Sequence, residues 1–102
     1  MSTSPTTALV VRMVAKSETR DEVAQFLTGA VDLANAEAGT PVWFALRTDD
    51  TTFWIVDAFP GDAERQAHLE GPIAAALVQH ADRLLASPPE ILTADVLASK
   101  VP

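Results

Sequence analysis

The spacing of apolar residues along the chain predicts four strands and two helical regions. Short runs rich in β-branched and aromatic residues predict strands at 8–15, 42–48, 52–59 and 91–97. Apolar residues at helical spacing predict a helix over residues 19–38, and a second helical region that begins at residue 62 and ends before Ser87-Pro88-Pro89. Gly71-Pro72 breaks this second region into a short and a longer helix.

The first helix carries signals at both of its ends. Thr19, followed by Glu22 three residues later, fits a capping box at the helix start. Gly39 and Pro41 predict its end. Six apolar residues make one stripe along the predicted helix: Val23, Phe26, Leu27, Ala30, Val31 and Ala34.

The element order predicts an α+β fold of the ferredoxin-like, split βαβ type (βαββαβ, second helix broken). Its antiparallel four-stranded sheet would carry the helices on one face. In the third strand one face is formed by Phe53, Ile55, Asp57 and Phe59, and the other by Trp54, Val56 and Ala58. Because both faces are apolar and the helices cover only one, we expect a face-to-face homodimer.

Composition narrows the class of protein. The length of 102 residues fits a single domain over residues 1–102, with residues 1–7 and 98–102 expected to be loose tails. A net charge of −7 with scattered basic residues argues against nucleic acid and against anionic membrane surfaces. No apolar run approaches membrane-spanning length. The absence of cysteine excludes disulfides and thiolate catalysis, and we expect a cytoplasmic protein.

The stretch from Phe53 to Gly71 holds the candidate chemistry. Asp57 is the one carboxylate of an apolar strand, and a turn at Pro60 leads to a short helix that presents His68. Imidazole titrates near neutral pH, so His68 is the candidate base, and Asp57 could orient its ring. A purely structural alternative stays open, in which His68 is a satisfied helix residue and Asp57 accepts backbone amides of the turn.

Aromatic residues could supply the walls of a binding pocket. Phe59, Trp43 and Trp54, together with Ile55, could contact a planar small molecule. The same tryptophans would equally suit the core and a dimer interface. The two histidines, His68 and His80, lie twelve residues apart on different predicted helices, which is no recognised metal-ligand spacing, so we predict no metal site.

Two segments resemble the antibiotic biosynthesis monooxygenase (ABM) domain family, which consists of dimeric α+β barrels. In residues 37–43, a glutamate and a glycine precede a strand with an aromatic residue, as in the family. In residues 53–68, Asp57 falls where relatives usually carry glutamate, Phe59 where they often carry tryptophan, and His68 on the family histidine.

This resemblance implies a cofactor-independent monooxygenase that acts, as a homodimer, on dioxygen and a planar aromatic or quinol-type small molecule. Heme-degrading relatives carry an asparagine, a tryptophan and a histidine around the heme. Here Phe59 stands at the tryptophan position, and the one asparagine, Asn35, lies in the first helix, so heme degradation is disfavoured. Two alternatives remain: a non-catalytic ligand-binding or regulatory dimer, and an isomerase or lyase that uses His68 as an acid–base group.

Overall fold

The computed structural model describes residues 4–101. Its elements are β1 (Thr7–Val14), a 3-10 turn (Ser17–Thr19), α1 (Arg20–Asn35), β2 (Val42–Arg47), β3 (Thr52–Phe59), α2 (Asp62–Leu69), α3 (Pro72–Leu84) and β4 (Glu90–Asp95). The strands form one antiparallel sheet in the order β2-β3-β1-β4. The predicted ferredoxin-like α+β fold is confirmed, including the break in the second helical region.

The helices cover one face of the sheet and form the core with it. Strands β1 and β3 alternate between buried and half-buried residues along their length, as strands with one helix-covered face should. The hydrophobic core consists of Val11, Met13, Ala15, Val23, Leu27, Phe53, Ile55, Leu77, Leu84 and Leu85. This helix-covered side is called the covered face below, and the opposite side the open face.

The predicted capping box at the start of α1 is wrong. Thr19 occupies the N-cap position, but its side chain makes no capping hydrogen bond. Its hydroxyl instead donates to the carbonyl oxygen of Leu84, 2.6 Å away, and so ties the start of α1 to the end of α3. The predicted stripe is buried except for Val31, which is exposed, and Phe26, which is half-buried. The helix ends at Asn35, before the predicted stop.

The chain near its start is more ordered than predicted. Pro5 and Thr7 are buried, and the Thr6 amide and hydroxyl donate to the carbonyl oxygens of Phe59 and Pro60. These residues extend the pairing of β1 with β3, so the predicted loose tail is wrong for them. Residues 1–3 and 102 of the predicted tails lie outside the described residues. Strand β4 ends at Asp95, two residues earlier than predicted.

Arg65 fixes α2 on the sheet. Its guanidinium donates to the carbonyl oxygens of Ala8, 3.4 Å away, and Ala94, 3.3 Å away. These two alanines are paired partners in β1 and β4, so the side chain spans the two strands. Helix α2 thereby lies over the end of the sheet from which Asp57 points inward.

An apolar row crosses the open face. Phe44, Val56, Val10 and Leu92 are successive cross-strand partners on β2, β3, β1 and β4. The two outer members, Phe44 and Leu92, are 56% and 53% exposed. None of the helices in the described part of the chain has the length and apolarity needed to cross a bilayer.

Candidate functional site

Three ionisable side chains from three parts of the fold meet on the covered face. His68, in the last turn of α2, lies between Asp57 of β3 and Glu37 of the α1–β2 connection. The ring nitrogen Nε2 is 2.9 Å from Asp57 Oδ2, and Nδ1 is 2.7 Å from Glu37 Oε1. His68 and Asp57 are buried, with 6% and 1% of their surface exposed. We call Glu37, His68 and Asp57 the triad.

Local sequence explains how Asp57 and His68 come together. The alternation of β3 turns Asp57 to the covered face, between the buried Ile55 and Phe59. After the turn at Pro60 and Gly61, α2 folds back over this strand. The imidazole of His68 then packs on the Phe59 ring, with centroids 5.3 Å apart and planes inclined by 46°.

The α1–β2 connection brings Glu37 to the opposite side of the imidazole. Backbone bonds from Glu37 N to Ala34 O and from Thr40 N to Glu37 O fold this connection into turns. A Cβ at Gly39 would lie 3.3 Å from the Glu64 side chain, so the glycine allows the connection to approach α2 closely. The buried Thr40 hydroxyl donates to Glu37 Oε1 at 3.3 Å and lies 3.5 Å from His68 Nδ1.

The two carboxylates differ in how well their hydrogen bonds are formed. Glu37 Oε1 accepts a well-directed bond at Nδ1 of His68. Asp57 Oδ2 is within ion-pair distance of Nε2 but lies off the direction of the ring N–H, so the contact is ionic rather than a directed hydrogen bond. Among the described residues, neither Asp57 oxygen has a hydrogen-bond partner, and neither does Glu37 Oε2. A buried carboxylate in this condition needs a nearby positive charge.

His68 supplies that charge. Carboxylates only accept hydrogen bonds, so both ring nitrogens favour carrying a proton, which makes the ring an imidazolium. Burial alone lowers the pKa of His68, but the close contacts and negative charges of Asp57 and Glu37 outweigh burial and raise it. The position in the last turn of α2 also favours a cation. In this charged state His68 can donate a proton or a hydrogen bond but cannot accept one.

The structure brings three of the four predicted wall residues to the covered face. Ile55 and Phe59 are buried beside Asp57. Trp43 lies on β2 directly opposite Asp57, and its indole nitrogen is buried with no hydrogen-bond partner among the described residues. We expect such a donor to be available to a ligand.

The prediction that Trp54 lines the same pocket is wrong within one subunit. Trp54 lies on the open face, because neighbouring strand residues point to opposite sides. Its indole nitrogen donates to Thr48 Oγ1 at 2.9 Å, and the Arg12 guanidinium lies 6.0 Å from its ring centroid. The sheet therefore separates it from His68.

A groove opens on the covered face next to the edge strand. It encloses about 190 Å³ between α1 and β2 and is lined by Ala24, Leu27, Thr28, Ala45, Leu46, Arg47 and Phe53. Ala45 is the next inward residue after Trp43, so the groove begins one inward step, about 7 Å, from the residue opposite Asp57. Triad residues line neither this groove nor the depression of about 560 Å³ between α3 and the start of β4.

Sequence reasoning did not assign a site role to Glu37 or Thr40. Both lie in the segment that carried the family resemblance, just before β2. In the antiparallel β2–β3 pair, the start of β2 lies at the same end as Asp57. This placement next to Asp57 is the feature of the sequence that could have indicated a site role for Glu37 and Thr40. Among residues 4–101, no group of three or more histidine, aspartate or glutamate side chains is arranged to hold a metal ion.

Solved structures identify the fold independently. No protein-family model and no curated protein matches the chain. The NE2512 protein of unknown function from Nitrosomonas europaea is 50% identical, with a TM-score of 0.94, over 96% of this chain and 95% of that one. PA3566 from Pseudomonas aeruginosa is 20% identical, with a TM-score of 0.78, over 96% of this chain and 100% of that one.

A third solved structure links this fold to the family suggested by the sequence. The "putative antibiotic biosynthesis monooxygenase" from Nitrosomonas europaea is 16% identical, with a TM-score of 0.81, over 90% of this chain and 99% of that one. At this identity the likeness concerns the fold alone, and at that level the resemblance is confirmed. The chain therefore has the fold of the antibiotic biosynthesis monooxygenase family and belongs to the same protein family as NE2512.

Proposed function

We propose that the chain is a cofactor-independent monooxygenase that acts on a planar aromatic or quinol-type small molecule. The observation that carries the proposal is the buried ring of His68 held between Glu37 and Asp57, with the Asp57 oxygens lacking a directed hydrogen bond among the described residues. A buried acceptor next to a buried cation suits a substrate that must lose a proton and hold the resulting negative charge. The named activity of a fold relative supports the reaction class by analogy only.

The proposed reaction needs no external reductant. An anthrone or quinol loses a proton, and its anion passes an electron to dioxygen, after which a carbon–oxygen bond forms. In the anthrone case, the O–O bond of the resulting peroxide breaks as the second methylene hydrogen leaves as a proton. One oxygen atom remains as a ketone. The other combines with the two protons lost from the substrate and leaves as water. The substrate supplies every electron that reduces dioxygen.

The residues of the covered face would stabilise the substrate anion and exclude water from the site. His68 would stabilise the substrate anion by donating a hydrogen bond, and Asp57 would take part in proton transfer as its charged partner. Phe59 would hold the imidazole in place through the ring contact. Trp43 and Ile55 would form the nearest walls for a planar ring, with access from the groove between α1 and β2.

The open face supports the second part of the proposal, a two-fold homodimer. The apolar row of Phe44, Val56, Val10 and Leu92 is uncovered in a single chain, and large exposed apolar patches mark interaction surfaces. A second copy facing it would bury this row and leave each triad on its own covered face. A cytoplasmic location, expected from the cysteine-free sequence, stays a prediction.

Oxygen uptake tests the proposed activity. We would measure dioxygen consumption with anthrone and with 1,4-naphthohydroquinone for the unaltered chain, His68→Ala and Asp57→Asn. His80→Ala serves as the matched control, because His80 is half-buried and contacts Phe26 away from the triad. We expect uptake above the protein-free rate in the unaltered chain and the control, and a loss of about 100-fold or more in the other two. Uptake that is indifferent to His68 would contradict the proposal.

The burial of the triad favours a second candidate, a non-catalytic ligand-binding dimer. Asp57 and His68 expose almost no surface, and a group that only holds a ligand needs no exchange of protons with solvent. Saturable binding of naphthohydroquinone, with oxygen uptake at the protein-free rate, would select this candidate. Product formation in strict anaerobiosis would instead select an isomerase or lyase that uses His68 as its acid–base group.

A further inference from the structure

The two carboxylates of the triad contact the imidazole with different geometry. On one side, Glu37 Oε1 receives a directed hydrogen bond from Nδ1 at 2.7 Å and a second bond from Thr40. On the other side, Asp57 approaches Nε2 to 2.9 Å without a directed bond, although it is the more deeply buried of the two. The first contact has the geometry of a positioning pair, whereas the second leaves a donor and an acceptor side by side.

We propose that Glu37 is the positioning residue of the site: it fixes His68 through Nδ1 and leaves Nε2–H and the Asp57 oxygens to the substrate. This reverses the sequence-based assignment, in which Asp57 orients the ring. The inference rests on the proposed function for its substrate and on the contacts alone for the role of Glu37. In known catalytic triads, too, one carboxylate orients the imidazole while the other ring nitrogen faces the substrate.

The side chains paired with or stacked on the ring come from the α1–β2 connection and from β3. The α1–β2 connection presents Glu37 and Thr40, and β3 presents Asp57 together with the apolar Phe59. On α2 itself, the side chain of Glu64 lies one turn before His68, beside Gly39. Glu37 and Asp57 are the carboxylates paired with the ring, and they occupy opposite nitrogens.

The assignment specifies a balanced proton transfer. A substrate hydroxyl, which for anthrone is that of its enol tautomer, donates its proton to Asp57, and the substrate oxygen that becomes negative accepts the hydrogen bond of Nε2–H. The net charge of the site is unchanged, because the charge of the carboxylate moves to the substrate oxygen beside the imidazolium. The proton later passes from Asp57 to the peroxide oxygen that leaves as water. The ligand class is therefore a planar ring that bears an ionisable hydroxyl.

A titration of His68 tests the positioning role without any need for turnover. We would follow the ring signals of His68 by NMR in the full chain carrying His80→Gln, which leaves one histidine to observe. Glu37→Gln should lower the titration midpoint of His68. The control Glu70→Gln removes an exposed carboxylate at the end of the same helix and should leave the midpoint unchanged. Equal midpoints in Glu37→Gln and the unaltered chain would overturn the proposal.

Kinetics with anthrone test whether positioning serves turnover. Glu37→Gln should lower kcat by about 100-fold with KM changed by less than about threefold, since the substrate contacts remain. Its residual activity should decline at a lower pH than that of the unaltered chain, because the imidazolium is lost sooner. Asp57→Asn should lose activity at every pH. If Glu37→Gln only reduces the free energy of unfolding and keeps its kcat, then Glu37 is a structural partner and the proposal fails.

Thr40 provides a graded check. Thr40→Val removes the hydroxyl that bonds to Glu37 and should lower kcat by about fivefold, whereas Thr40→Ser keeps the hydroxyl and should restore the rate. Equal rates in the two variants would count against the proposal. If the unaltered chain consumes no dioxygen with either probe, the proposed function fails. The NMR titration then still decides the role of Glu37.

Discussion

The two faces of the sheet differ in which groups they bury: the covered face encloses charged side chains, and the open face exposes apolar ones. On the covered face, charged groups that water would normally solvate are enclosed and neutralised by one another, as in the pair of His68 and Asp57. On the open face, apolar groups that water disfavours are left uncovered, as in Phe44 and Leu92. Strand β3 takes part in both, since Asp57 points to one side and Val56 to the other.

One chain pairs the charged groups of its covered face but leaves the apolar row of its open face uncovered. The covered face is complete within one chain, because β3, the α1–β2 connection and α2 bring Asp57, Glu37 and His68 together. The apolar row of the open face is buried only if another molecule covers it, and we propose that this molecule is a second copy of the chain. Changes on the covered face should therefore act on stability and chemistry, whereas changes on the open face should act on association.

The largest effect is expected from removing the imidazole. His68→Ala leaves Asp57 and Glu37 close together without their cation, and breaking a buried ion pair in this way costs about 3–5 kcal/mol. Urea denaturation should show this loss in the free energy of unfolding. The control His80→Ala, which removes a half-buried ring, should cost clearly less. Equal losses in the two variants would show that the triad does not stabilise the covered face.

The next effect concerns the open face. Phe44→Asp should weaken the proposed dimer by about 100-fold or more, because burying a phenylalanine is worth about 1.5–3 kcal/mol and a two-fold interface contains it twice. Sedimentation over a concentration series would measure the dissociation constant. Val78→Asp changes an apolar residue on α3 that is more exposed than Phe44, and it should leave the dimer intact. A monomeric unaltered chain at micromolar concentration would refute the dimer itself.

A smaller effect is expected from pH. The pKa of His68 is raised in the folded chain, so its contribution to stability is fully present below the ordinary value of about 6.5. That contribution is lost as the pH rises through the higher folded pKa. The free energy of unfolding should therefore fall above neutral pH, in the unaltered chain and in His80→Gln, but not in His68→Gln. The same alkaline decline in His68→Gln would assign it to other groups.

The smallest effect concerns the contact between the start of α1 and the end of α3, away from the triad and from the open face. Thr19→Val removes the hydrogen bond to the carbonyl oxygen of Leu84, which should cost about 1 kcal/mol. Glu22→Gln serves as a comparison, because the capping-box interpretation has this side chain bond back to the Thr19 amide. Glu22 instead pairs with Arg83 on an exposed surface, so its loss should be well under 1 kcal/mol by the same denaturation measurement. A larger loss in Glu22→Gln than in Thr19→Val would support the capping box.

The fold could be predicted because its determinants are local. Alternation in β3, helical spacing in α1 and the break at Gly71-Pro72 each follow from neighbouring residues. The same alternation already allowed Trp54 and Asp57 to lie on opposite sides of the sheet, and the structure places them there. The capping box failed for a different reason, since Leu84, the acceptor that captures the Thr19 hydroxyl, is distant in sequence.

The candidate site could be predicted only in part. Asp57 and His68 lie within one continuous stretch, so a strand, a turn and a helix suffice to bring them near each other. Glu37 reaches the same imidazole across a separation of 31 residues, and its position depends on how the α1–β2 connection docks on α2. The protonation of the ring followed only once both of its nitrogens were seen to face carboxylates.

The guanidinium of Arg65 restricts where the triad can be reached. By spanning the carbonyl oxygens of Ala8 and Ala94, it fastens α2 to the inner strand β1 and to the edge strand β4. Lifting this helix would break those bonds, whereas the α1–β2 connection lies at the opposite edge of the sheet. We therefore expect molecules to enter and leave past the edge strand β2, while α2 stays fixed on the sheet.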